Sequence, residues 1–248
     1  YDGGRTWDAP RTAGLPAGMV ATPAQGIVEL EDGRWVWAFD QWPAYDDPGP
    51  YRPRMLCLFS GDRGRTWGGQ VVMADGSQHG KGYWHGRPIR RHDGRLFALL
   101  WSADMTRPEH GPLDLPIHSV RADAAGRAWD TPRPTGLPGQ TSCAAELPDG
   151  RLAAIYTWRE AERPGFMVAL STDNGTSWDL DRQVRVWDAT GWTHIGLSSP
   201  DRYPRSHDTI AFGAPSLIAT QAGELLATWW CTHVSLTHLR WARLTVAA

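Results

Sequence analysis

Ser60-Gly61-Asp62-Arg63-Gly64-Arg65-Thr66-Trp67 reads S-x-D-x-G-x-T-W, and Ser171-Thr172-Asp173-Asn174-Gly175-Thr176-Ser177-Trp178 repeats it with Ser for Thr. Asp2-Gly3-Gly4-Arg5-Thr6-Trp7 is the same phrase without its first Ser. Asp123-Ala124-Ala125-Gly126-Arg127-Ala128-Trp129 is a worn copy with one extra residue. The four tryptophans stand at 7, 67, 129 and 178, so the phrase returns after 60, 62 and 49 residues. A repeat of this period marks an array of like supersecondary units. The phrase itself is a turn. Short Ser and Asp side chains accept backbone N–H bonds, Gly permits a positive φ, and Trp packs beneath. Its aspartates are therefore read as folding devices and not as catalytic groups.

A second phrase fills the intervals: an apolar strand, a turn ending in Gly, and another strand. It occurs around Asp32-Gly33, Asp93-Gly94, Asp149-Gly150 and, with Ala for Asp, Ala222-Gly223. Asp-Gly between apolar runs signals a hairpin. A third strand follows each hairpin, at 55–59, 117–121, 166–170 and 239–246, and the first three lead into a boxed turn and a fourth strand. Four antiparallel strands in every 50 to 60 residues, with no helical periodicity, predict an all-β propeller of four-stranded blades, a single domain over 1–248. We denote the strands of a blade A to D. The chain begins within a box and holds about four blades. It is expected to be part of a longer propeller that has lost N-terminal blades, rather than a four-bladed ring closed by its N-terminal strand.

Composition removes several function classes. A net charge of −2 gives no electrostatic case for nucleic acid. No apolar run is long enough to span a membrane. Three cysteines without close spacing argue against a disulfide framework and against a zinc site. No metal or cofactor is expected, and composition leaves localisation and oligomeric state open.

Antiparallel order places the start of A and the end of B on one face of the disc, with the B–C loops and the D-to-A linkers. The Asp-Gly turns and boxes lie on the other. The first face is polar and aromatic: Asp40 and Trp42 from one blade, His85, Arg87, Trp101 and Asp104 from the next, Arg159 and Glu160 from the third, Tyr203 and Arg205 from the last linker. Aromatic platforms beside Arg, Asp and His suit a sugar, whose ring stacks and whose hydroxyls are hydrogen-bonded.

The boxes resemble those of the Asp-box, or BNR-repeat, proteins, of which sialidases are the best-known members. The resemblance implies a six-bladed relative, a glycan substrate, three arginines for the sugar carboxylate, a Tyr nucleophile helped by a Glu, and an Asp acid/base. Mapped onto this chain, it implies Arg87, Arg159 and Arg205 as the arginines, Tyr203 as nucleophile, Glu160 as helper, and Asp40 or Asp104 as acid/base, with Trp42, His85 and Trp101 lining the sugar. The chain departs from the family at Phe212-Gly213-Ala214-Pro215, where Gly213 stands in place of an arginine. Three functions follow: an exo-acting glycosidase of sialidase type, a propeller-type polysaccharide lyase using His, Tyr and Arg, or a non-catalytic propeller that binds glycans or proteins.

Overall fold

The computed structural model describes residues 2, 4–10, 12–15, 20–22, 26–42, 53–107, 112–159, 162–190, 211–233 and 236–246. It holds four antiparallel sheets in a propeller arrangement. In the first blade β1 (Val20–Thr22) and β2 (Ile27–Glu29) both pair with β3 (Trp35–Trp42), so strand A is broken in two. β4 (Arg54–Ser60) and β5 (Gly68–Asp75) complete that sheet. The second blade repeats the break: β6 (Lys81–Trp84) and β7 (Ile89–Arg90) share β8 (Leu96–Asp104), followed by β9 (Leu113–Ala122) and β10 (Arg133–Pro134). The third has an unbroken strand A, with β11 (Ser142–Glu146), β12 (Leu152–Trp158), β13 (Gly165–Ser171) and β14 (Val184–Asp188) in order. The fourth has β15 (Phe212–Ala219), β16 (Glu224–His233) and β17 (Leu236–Thr245).

Each hairpin between strands A and B is a three-residue loop, not the two-residue turn that Asp-Gly alone suggests. Leu30 N–H bonds to Arg34 O while Gly33 N–H returns to Leu30 O, and Gly33 takes φ +81°. The same pattern recurs at Gly94, Gly150 and Gly223. It is a type I turn followed by a left-handed residue, which Gly supplies without a steric cost.

The boxes close as their residues dictate. Ser60 Oγ–H donates to Asp62 Oδ1 at 2.7 Å and accepts Gly64 N–H at 2.8 Å, and Thr66 Oγ–H donates to Asp62 Oδ2 at 2.6 Å. The box of Asp173 repeats these bonds: Ser171 Oγ–H donates to Asp173 Oδ1 and accepts Gly175 N–H, and Ser177 Oγ–H donates to Asp173 Oδ2. The worn copy keeps the Asp123 bonds to the Arg127 and Ala128 amides. Each of the later two boxes also touches the preceding blade. Gly126 lies against Phe59 and Val36, and Gly175 against Phe97. Trp7 differs, being 87% exposed although its box forms the Asp2–Thr6 bond. No described sheet lies beneath that indole.

Apolar clusters fill the spaces between consecutive blades. Val36, Ala38, Met55 and Cys57 meet Leu96, Ala98 and Leu100; Phe97 and Leu99 meet Leu152, Ala154 and Tyr156; Ile155 and Phe166 meet Phe212, Ala227 and Trp229. Burial of each such large side chain contributes about 1.5–3 kcal/mol relative to exposure. Cys57, Cys143 and Cys231 are buried free thiols within these layers. On the outer strand of the fourth blade, Leu239 is 81% and Trp241 70% exposed. Among the described residues β17 pairs only with β16, and 4–10 and 12–15 form no strand, so no described N-terminal strand closes a four-bladed ring. Among the described residues no helix is long and apolar enough to cross a membrane.

Candidate functional site

The ends of the B strands carry a continuous polar and aromatic line through the blades. It starts at Asp40, near the end of β3 and only 2% exposed. Asp40 Oδ1 accepts the His85 backbone N–H at 2.9 Å. His85 leaves β6 with φ +55°, a left-handed conformation that costs a non-glycine residue about 1–2 kcal/mol. The Asp40 bond holds that conformation, and so does a stack of the imidazole on Trp101, with ring centroids 5.7 Å apart and planes 18° apart. Non-glycine residues kept in such conformations cluster at functional sites.

Trp101 sits opposite a bulge. The β8–β9 register jumps between Leu100↔His118 and Ser102↔Leu115, leaving Pro116 and Ile117 against one residue. Bulges re-aim side chains, and this one also accommodates a proline inside a sheet. The Trp101 indole Nε1–H donates to Asp114 Oδ1 at 2.6 Å. The other carboxylate oxygen accepts Gln140 Nε2–H at 2.7 Å. Gln140 Oε1 in turn accepts Arg159 Nη1–H at 3.4 Å, and Arg159 Nη2–H donates to the Phe212 carbonyl at 2.6 Å. Arg159 is 8% exposed and lies over the Phe212 ring, 5.3 Å from its centroid. A Cβ at Gly213 would stand 2.7 Å from Arg159 Nη2, so the guanidinium of the third blade occupies the room that a side chain at 213 would need.

Burial pushes the Asp114 carboxyl above its ordinary value, opposed by the Gln140 and Trp101 hydrogen bonds and the Arg159 charge. Asp104 behaves in the opposite way. The Thr106 hydroxyl and amide hold it below the usual carboxylate range, and it pairs across the sheet with Lys81 and Leu113. It is the last residue of β8, next to Ala103, which pairs with Asp114. Arg87 lies where the broken strand A of the second blade resumes. Its Nη1 approaches Cys143 Sγ of the third blade at 4.0 Å, and its stem passes beside Gly26 of the first.

Of the residues singled out in the sequence, the structure thus joins His85 with Trp101, ties Asp40 to His85, and links Arg159 to Trp101 through Gln140 and Asp114. Trp42 pairs through its backbone with Val20. Its side chain lies outside the described residues, as do Glu160, Tyr203 and Arg205. Asp114 is missing from the sequence candidates because strand C reads there as starting at Ile117. The signal for it is the alternation Leu113-Asp114-Leu115, masked by Pro116.

The side chains gathered here are an indole stacked by an imidazole, a carboxylate with two neutral donors, and a buried guanidinium. Among the described residues no three His, Cys, Asp or Glu side chains gather to hold a metal ion. A Tyr–His pair does exist, Tyr83 against His118 with centroids 5.6 Å apart. Both are buried, at 3% and 2% exposure, so neither is placed to meet a polymer. A cavity of about 560 Å³ lies at the box end between the third and fourth blades, lined by Val168, Trp178, Leu225 and Val246, and touches none of these candidates.

Residues 1–225 match the BNR repeat-like domain family. The chain belongs to that family. A search of curated proteins finds no match. Solved structures share the fold. A protein of unknown function from Dyadobacter fermentans superposes with a TM-score of 0.70 at 17% identity over 99% of this chain and 62% of its own. The Hadza microbial sialidase Hz136 gives 0.60 at 12% identity, covering 88% of this chain and 43% of that one. The intramolecular trans-sialidase from Ruminococcus gnavus gives 0.55 at 16% identity, covering 99% and 49%. This BNR-repeat chain therefore has a sialidase-like propeller fold and spans less than two thirds of each of these relatives.

Proposed function

We propose that this BNR-repeat propeller is an exo-acting glycoside hydrolase of sialidase type, cleaving a terminal acidic sugar from a glycan. The observation that carries the reading is the Trp101 shelf, stacked by His85 and tied through Asp114 and Gln140 to the buried Arg159. A shelf that takes a sugar face, beside a guanidinium held in place before binding, suits a sugar that bears its own carboxylate. In this reading Arg87, Arg159 and Arg205 receive that carboxylate, and Trp42, His85 and Trp101 pack on the ring. Tyr203 Oη attacks the anomeric carbon as the bond to the glycosidic oxygen breaks, Glu160 takes the phenol proton, and water then releases the sugar from Tyr203. A tyrosine nucleophile avoids the repulsion that a carboxylate would meet. Proton transfer falls to Asp40 or Asp104. Asp40 is engaged by the His85 amide and Asp104 by the Thr106 hydroxyl and amide, so both alternatives stand.

The test is turnover of a fluorogenic sialoside by the wild type, Tyr203→Phe and Trp101→Ala. The reading requires release by the wild type, loss of kcat in the first variant and a raised KM in the second. Full turnover in Tyr203→Phe removes the nucleophile assignment. Absence of release by the wild type removes the hydrolase.

A further inference from the structure

Asp114 has no role in the assignment above, yet it joins more of the site than any residue that does. Its two oxygens divide between two blades: Oδ1 takes the indole proton of Trp101 within the second, and Oδ2 takes an amide proton of Gln140 from the third. Each donor is itself held from its other side. Trp101 is stacked by His85, which is fixed by Asp40 of the first blade. Gln140 presents its oxygen to Arg159, whose second nitrogen is fixed by the Phe212 carbonyl of the fourth. Gln140 is 1% exposed, so the direction of its amide is set by these partners and not by water. Asp114 needs an N–H from Gln140 and Arg159 needs an oxygen, which selects one of the two amide orientations.

We propose that Asp114 is a positioning residue of the glycan site, a carboxylate clamp that locks the Trp101 shelf and the Gln140–Arg159 pair into one preorganised recognition surface. The inference rests on the reading of this face as a glycan site, but its hydrogen-bond logic can be tested without any turnover. A carboxylate accepts on both oxygens. An asparagine offers one acceptor and one donor, so in Asp114→Asn either Trp101 or Gln140 faces another N–H. In Gln140→Glu two carboxylates face each other. In the double variant Asp114→Asn, Gln140→Glu the polarity of the pair is reversed and every contact is satisfied. The introduced amide N–H donates to the introduced carboxylate, and the amide oxygen still accepts from Trp101. The remaining carboxylate oxygen still accepts from Arg159.

The experiment records the indole ¹H–¹⁵N resonances of the whole chain, with the Trp101 signal assigned by its loss in Trp101→Phe. It is paired with thermal midpoints and with KM and kcat on the fluorogenic sialoside. A carboxylate bond displaces the Trp101 indole proton downfield of its exposed counterparts. The clamp requires that signal to move or broaden in both single variants and to return to one sharp line in the double variant. KM is expected to rise about tenfold in each single variant, with a smaller change in kcat, and to recover in the double. Should the single variants fold poorly, recovery of both the thermal midpoint and the indole line in the double variant decides the matter. An unchanged indole line in Asp114→Asn, or a double variant no better than the worse single one, overturns the clamp. If the wild type releases no sugar while the indole series behaves as required, the hydrolase reading fails and the clamp stands. Normal indole behaviour with an unaltered KM overturns the role of the clamp in recognition.

Discussion

Gly175→Ala is the sharpest test of how the boxes hold one blade to the next. Gly175 lies in the box of the third blade at φ +76°, and a Cβ there would stand 2.6 and 2.7 Å from ring atoms of Phe97 and 3.1 Å from Leu152 Cδ1. Two costs follow. A left-handed alanine costs about 1–2 kcal/mol. Forcing a methyl group against a packed ring adds about 1–3 kcal/mol, because Phe97 is fully buried and has nowhere to retreat. The Asp-Gly hairpin supplies a control: Gly150 has φ +85° but open space around its Cβ position, so Gly150→Ala bears only the first cost. Urea unfolding of the two variants gives the comparison, and Phe97→Leu gives the cycle. In that background, where the ring is gone, the cost of Gly175→Ala should shrink toward that of Gly150→Ala, a coupling of about 1–3 kcal/mol. Equal costs for the two glycine substitutions, or strict additivity with Phe97→Leu, would refute the packing of the box on the preceding blade.

Three further outcomes are expected. The Thr66 hydroxyl, with the Thr66 amide and the Ser60 hydroxyl, holds Asp62 at about 2; burial raises Asp173, but the hydrogen bonds from Ser177, Ser171 and Thr176 together outweigh it and leave it also at about 2. Both are depressed below the unfolded value of 3.8, so their stabilisation is complete above that pH and is lost as pH falls toward 2; thermal midpoints in acid should drop less steeply once both are Asn. Burial depresses His118, aided by the Lys81 charge and opposed by the Pro116 carbonyl, so the unfolded chain takes the proton first and stability falls as pH drops below 6.5. His118→Phe should flatten that slope in thermal melts, and an unchanged slope would assign it to other groups. Gly213→Ala places a methyl group against the tip of Arg159, which has a flexible stem, and no positive φ is involved. It should cost under about 1 kcal/mol of stability yet raise KM for an anionic glycoside about tenfold. Retained KM would show that Arg159 does not need its present position.

The repeat is readable because it is written in local chemistry. Ser-x-Asp-x-Gly specifies a turn through bonds within eight residues. Every box, every Gly of the A–B hairpins and each C strand lies near the position read for it from sequence. The face that gathers Asp40, His85, Trp101 and Arg159 follows from antiparallel order alone. What escapes such reading depends on partners distant in the chain. Nothing near Asp114 announces that Gln140 and Trp101 will both reach it, and the bulge at Pro116 hides the strand on which it lies. The break in strand A of the second blade likewise shows only in the register, where residues 85–88 stand against 98–100. Asp40 and Arg159 stand out in the sequence for their chemistry, whereas their observed bonds, to the His85 amide and to the Phe212 carbonyl, also hold the backbone around the candidate site.

The most direct measurement sets two assays side by side on the same protein: release of fluorophore from a sialoside, and growth of enoate absorbance from uronate polymers. The account requires release from the sialoside, abolished in Tyr203→Phe and weakened through KM in Trp101→Ala, with no absorbance change. Absorbance growth without release would contradict the hydrolase and identify a lyase. No signal in either assay, with sugar still bound at the Trp101 shelf, would contradict catalysis and leave a glycan-binding propeller.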